Sequence, residues 1–234
     1  MPPRPSPTHF LCLQLASSQL TKNLAAFRAD VTGAGGFGVP DDAVRPPGTL
    51  HLTLGVMSLK PEDVSPTIEL LKTLRPRDML AELRAANNPL ASATASQTRR
   101  TGPPGGLSIS LRGIRAMTSA SRTSVLYAAP SDAEGILYNF CQELRKPFGE
   151  AGLIEEESRP LLLHATVVNT VYVRGWGGGR RKEKLMLDAT DLMSKYEDYI
   201  WVEDMPVSRV AVCRMGAKKV DGDEVYEVEG DIEI

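Results

Sequence analysis

Leu50-His51-Leu52-Thr53-Leu54 and Leu163-His164-Ala165-Thr166-Val167 are the same phrase written twice, with the two histidines 113 positions apart. Each is His-x-Thr-apolar inside a run of aliphatic and β-branched residues, the pattern of a β-strand. Successive side chains of a strand point to opposite faces, so His51 shares a face with Thr53, and His164 with Thr166. If the two strands meet, two imidazoles and two hydroxyls converge on one small volume. That grouping suits a phosphodiester. One histidine takes a proton as general base, the other gives one as general acid, and the hydroxyls donate to the non-bridging oxygens. A lone motif of this kind is more simply a buried structural histidine. Two copies in a chain with three histidines favour chemistry. The third, His9, has Leu11 rather than threonine two residues on and is assigned a structural role.

The chain has 234 residues, enough for one large domain or a two-lobed one with a proper core. Its 42% hydrophobic and 24% charged residues are those of a globular protein, which sets aside disordered and membrane-embedded classes. Cys12, Cys141 and Cys213 are widely spaced and odd in number, so they signal neither a disulfide framework nor a zinc site. No cluster has metal-ligand spacing, and neither a metal nor another cofactor is expected. The proline-rich start, residues 1–7, is expected to be flexible. The apolar run after it is too short to span a membrane, so cytoplasm or nucleus is the expected location.

Charge is unevenly spread. Residues 1–126 carry 14 Lys and Arg against 8 Asp and Glu, whereas residues 127–234 carry 13 against 21. No acidic residue falls between Glu82 and Asp132, while Arg84, Arg99, Arg100, Arg112, Arg115 and Arg122 do. A basic surface is thus available to a polyanion, although a solvated face explains the run equally well.

Around the two motifs, periodicity predicts strands over 8–16, 49–57, 107–112, 124–128, 161–172, 206–213 and 225–234. Helices are predicted over 18–30, over 61–84 with a break at Arg75-Pro76, from a cap at Ser131 with Glu134 completing a capping box, and over 188–199. Asp221-Gly222 is a hairpin signal. Residues 85–106 offer almost nothing to bury and are expected to be a disordered insertion. Gly175-Trp176-Gly177-Gly178-Gly179-Arg180-Arg181-Lys182 lacks phosphate-loop spacing and is expected to be a flexible turn beside the site.

The paired His-Leu-Thr-Leu and His-Ala-Thr-Val resemble the signature of the two-histidine (2H) phosphoesterase superfamily. With residues 8–15, 48–59, 106–117, 161–172 and 187–213, the chain is similar to the branch holding the A-kinase anchoring protein 7-like phosphoesterase domain and activating signal cointegrator 1 complex subunit 1. The resemblance implies an α+β, two-lobed, pseudo-twofold fold over residues 8–234, of the RNA ligase/cyclic phosphodiesterase type, with antiparallel sheets lining a central cleft. It implies metal-independent cleavage of phosphodiesters at RNA ends or in 2′,3′-cyclic or 2′,5′-linked nucleotides. His51 and His164 would be the acid/base pair in either order, and Thr53 and Thr166 the phosphate donors. Beside them, Tyr172 and Trp176 would stack a base, and Arg115 or Arg174 would meet phosphate. The expected partner is RNA or a nucleotide, and the expected state a monomer. The other function compatible with the motifs is a non-catalytic nucleotide- or RNA-binding subunit of a transcription or repair complex, which brings protein partners with it.

Overall fold

The computed structural model describes residues 6–87, 105–154, 160–173 and 184–234. In chain order the elements are β1 His9–Gln14, α1 Ser18–Thr32, β2 His51–Met57, α2 Pro61–Thr73, α3 Pro76–Asn87, β3 Leu107–Ala116, β4 Val125–Ser131 and α4 Leu137–Glu150. They continue with β5 Ala165–Asn169, α5 Thr190–Lys195, β6 Ile200–Val207, β7 Arg209–Arg214, β8 Lys218–Val220, β9 Asp223–Val225 and β10 Val228–Glu233.

Among the described residues eight strands form one antiparallel sheet in the order β10-β7-β1-β2-β5-β4-β3-β6, and β8 and β9 form a separate hairpin. The sheet has two four-stranded halves. They meet where β2 lies beside β5, the two strands that carry the repeated motif, and a single position pairs across the join, Leu52 with Ala165. The expected two-lobed α+β architecture is therefore present, with each lobe one half of a shared sheet.

The helices tie the halves together. Ser17 caps α1 by accepting from the Leu20 amide at 3.0 Å, and Leu20, Leu24, Phe27 and Val31 form its buried stripe. Although α1 follows β1, it packs on β6 at the far edge of the opposite half. There Asn23 Nδ2 donates to the carbonyls of Ile200 and Trp201 at 3.0 and 3.1 Å, and Phe27 meets the Trp201 ring edge-on at 4.9 Å. In the mirror arrangement α4 follows β4 but packs against β2. Leu11, Leu13, Leu52, Leu54, Ala165 and Val167 belong to the core beneath the helices. Phe10, Cys12, Ala211 and Cys213 form a second, smaller apolar cluster.

Several boundaries differ from the sequence-based expectation, each for a local reason. The helix expected to start at Ser131 begins at Leu137, because Ser131 still pairs with Ser110 in the sheet and Gly135 sits at φ 67° in the turn that follows. The Asp132 carboxylate takes the capping role, accepting from the amides of Ile136 and Leu137 at 2.8 and 3.2 Å, while Glu134 pairs with Arg84. The strand expected over 206–213 is two strands, β6 and β7, turning at Ser208. Pro206 is tolerated in β6 because that strand is an edge. The second motif strand is shorter than 161–172, giving way at Thr170 to a single turn of 3₁₀ helix. The helix over 188–199 shrinks to Thr190–Lys195. Of the expected insertion, residues 85–87 belong to α3, 88 to 104 lie outside the described residues, and Gly105 and Gly106 lead into β3. Gly113 sits inside β3 at φ 63°, and a Cβ there would come within 2.5 Å of the Glu197 carbonyl oxygen.

Candidate active site

Pro46-Pro47-Gly48 makes a 3₁₀ turn over Pro47–Thr49 that delivers His51 to the start of β2. The Thr49 carbonyl oxygen then lies 2.7 Å from His51 Nδ1. His164 stands just ahead of β5 in the same relation, its Nδ1 2.8 Å from the carbonyl oxygen of Leu162, again two residues upstream. A carbonyl can only accept, so in both rings Nδ1 carries the hydrogen and donates it. This fixes both neutral tautomers and leaves Nε2 as the atom free to take or give a proton.

The Leu52–Ala165 pairing sets what else is nearby. Continued by one residue each way, it puts His51 across from Thr166 and Thr53 across from His164, with the buried Leu52 and Ala165 on the opposite face. Each imidazole thus has the other motif's threonine as its cross-strand neighbour. The row extends outward: Tyr127 pairs with Thr166, Arg115 with Tyr127, and Gln14 with His51. Tyr127 meets the His164 ring edge-on at 5.4 Å. Phe10 lies 4.7 Å from the His51 ring, and Tyr226 meets that ring edge-on at 5.4 Å.

Burial lowers the His51 pKa to about 4. The nearby His164 and Arg45 charges push the same way, and the Thr49 carbonyl opposes them without prevailing. His51 is therefore neutral at physiological pH. A cavity of about 730 Å³ opens beside it, lined by Phe10, Cys12, Gln14, Thr49, Cys213 and Tyr226. That volume is in the range of small-molecule sites. Among the described residues no group of three or more His, Cys, Asp and Glu side chains is placed to hold a metal ion, and no helix is long and apolar enough to cross a membrane.

The structure brings His51, Thr53, His164 and Thr166 onto one face of two adjoining strands. Tyr172 ends the 3₁₀ turn after β5, 42% exposed, with its ring under the guanidinium of Arg45 at 3.7 Å rather than open on both faces for stacking. Arg115 is exposed, on the same face as Tyr127 and one strand further from His164. Arg174 and Trp176 lie outside the described residues.

Sequence reasoning missed Arg45, Tyr127, Tyr226 and Phe10. Tyr127 and Phe10 sit in strands that were recognised, and only their register against the motif strands makes them neighbours of the histidines. Nothing local marks Tyr226, which reaches His51 from the link between β9 and β10. Arg45 carried one usable signal, its place immediately before the Pro46-Pro47-Gly48 turn that aims His51.

Among curated proteins, an uncharacterized protein of Schizosaccharomyces pombe, C15D4.13c, is 28% identical over 109 residues, covering 47% of this chain and 48% of that protein. The match thus spans about half of the relative's length. Among solved structures, a phosphoesterase aligns over 99% of both chains at 15% identity and a TM-score of 0.49. LigT of E. coli complexed with 3′-AMP aligns over 97% of this chain and 98% of its own at 14% identity and 0.49. The protein TT0787 of Thermus thermophilus aligns over 97% of each chain at 18% identity and 0.49. The AKAP7 2′5′ RNA ligase-like domain matches residues 7–234, the two histidine motifs included, and the chain belongs to that family.

Proposed function

We propose that the protein is a metal-independent phosphodiesterase acting on RNA ends or on 2′,3′-cyclic or 2′,5′-linked nucleotides, with His51 as general base and His164 as general acid. One observation carries this assignment: both imidazoles have Nδ1 tied to a backbone carbonyl, so two free Nε2 atoms are left on facing strands with a threonine across from each. Binding alone needs no such matched pair. Acid/base hydrolysis does.

The environment supports the order. His51 is held neutral by burial, the form a base needs. With a 2′,3′-cyclic phosphate, His51 Nε2 takes a proton from water as the water oxygen bonds to phosphorus. The bond from phosphorus to one ribose oxygen breaks, and protonated His164 gives its Nε2 proton to that leaving oxygen. Thr53 and Thr166 donate to the non-bridging oxygens, where charge builds up.

The test is a panel of 2′,3′-cyclic nucleotides, 2′,5′-oligoadenylate and short 3′-ended RNAs assayed in EDTA. Hydrolysis of at least one, abolished by His51→Ala and by His164→Ala, is the expected result. Nucleotide binding with no turnover anywhere in the panel would instead support the non-catalytic subunit.

A further inference from the structure

Arg45 is the only buried Lys or Arg side chain among the described residues, at 4% exposure. Its backbone amide donates to Val167 O at 2.9 Å, which anchors it against β5 at the join of the two half-sheets. Its guanidinium lies over the Tyr172 ring, 3.7 Å from the centroid, and shares a side-chain hydrogen bond with the Tyr226 phenol, whose pKa burial and Tyr172 push up against the opposing pull of Arg45. Tyr226 in turn touches the His51 ring, so one phenol separates the guanidinium from the imidazole. Yet Nη2 has no hydrogen-bond partner, and no carboxylate pairs with this side chain among the described residues.

A buried cation without a counter-ion is costly, and an apolar side chain of similar size packs such a place better. An aromatic face attracts a guanidinium but gives it no acceptor atom. Packing therefore does not account for Arg45, whereas an absent anion does. We propose that Arg45 is a substrate-binding residue of the histidine cleft: its free Nη2–H donates to a phosphate oxygen of the substrate, the Tyr172 ring moving aside to admit it. The inference rests on the phosphodiesterase assignment of His51 and His164 and adds a second positive charge to that of the protonated His164. With His51 neutral and the two threonines uncharged, a guanidinium supplies a positive charge that does not titrate. Arg45 and Tyr172 both line a second cavity of about 650 Å³, which shares Pro47 and Asp223 with the cavity beside His51. The wall of this second cavity also carries charge: Asp41 is paired with Arg28 at 2.9 Å and Asp223 accepts from the Gly48 amide at 2.9 Å, while Asp42, Asp221, Glu224 and Lys219 complete the charged lining.

The experiment compares the full chain with its Arg45→Met and Arg45→Lys variants in three measurements: calorimetric titration with inorganic phosphate, the thermal unfolding midpoint, and turnover on the panel above. Arg45→Met should keep or raise the midpoint and weaken phosphate binding by roughly tenfold or more, the worth of a charge-assisted hydrogen bond. Arg45→Lys keeps the charge without the planar fork and should fall between the two. Phosphate binding unchanged in Arg45→Met, or a wild-type protein that binds no phosphate, overturns the proposal. If Arg45→Met does not fold, wild-type phosphate affinity in Arg45→Lys overturns it, and weakened affinity supports it. A wild-type protein that binds phosphate through Arg45 but cleaves nothing sinks the phosphodiesterase assignment and leaves Arg45 as a phosphate ligand.

Discussion

Leu52 faces Ala165 across the join of the two half-sheets, and this is the single position at which β2 and β5 pair. Both side chains are fully buried on the core face, immediately below the histidines. At the level of the strands the spacing of the two imidazoles rests on this one cross-strand pair, inside the brace that α1 makes between the halves. Ala165→Leu should overpack it and cost about 1–3 kcal/mol. Turnover should fall further than that loss explains, because the histidines are pushed apart. Urea unfolding together with kcat on the best panel substrate checks this.

Removing either imidazole should lower kcat by about 10²–10⁴-fold, the usual worth of a positioned proton donor or acceptor. Thr53→Val and Thr166→Val keep shape and burial but lose a donor, so each should cost less, roughly tenfold. Single-turnover rates in EDTA separate the two classes. A histidine variant within about tenfold of wild type would refute the acid/base pair.

His51 also makes stability depend on pH. Its folded pKa is about 4 against an ordinary 6.5, so between these values the unfolded chain binds a proton that the folded one does not. Stability from this source is intact above 6.5 and is lost as pH falls toward 4, by up to roughly 3 kcal/mol. His51→Phe should flatten that part of the stability-against-pH curve, measured by denaturant midpoints from about pH 4 to 7.5. In kcat/KM the acid limb should lie below the normal histidine range, since the free enzyme's base is already neutral there.

Much of this arrangement was legible because its carriers are local. The motif strands, the helix break at Arg75-Pro76 and the Asp221-Gly222 hairpin are each written in a few consecutive residues. What could not be read depends on register and exchange. Tyr127 pairs with Thr166 only once β4 lies beside β5, and Phe10 reaches His51 only because β1 pairs with β2. The α4 cap failed for a related reason: Ser131 looks like a capping residue, but the sheet holds it, and the next carboxylate, Asp132, does the work.

That reassignment is testable. Asp132→Ala should cost about 1 kcal/mol, the usual worth of a lost N-terminal cap, while Ser131→Ala should cost under about 0.5 kcal/mol. Thermal unfolding of the two variants side by side distinguishes the capping residue.

The exchange of helices between the half-sheets has a mechanical consequence. Prying the lobes apart would not simply unzip β2 from β5 at Leu52. It would have to drag Phe27 off Trp201 and break both Asn23 amide bonds, since α1 is threaded from one lobe onto the far edge of the other. The cleft behaves as a cross-braced frame rather than a hinged jaw. A substrate must therefore fit the distance between the imidazoles, since the frame does not close down to find it.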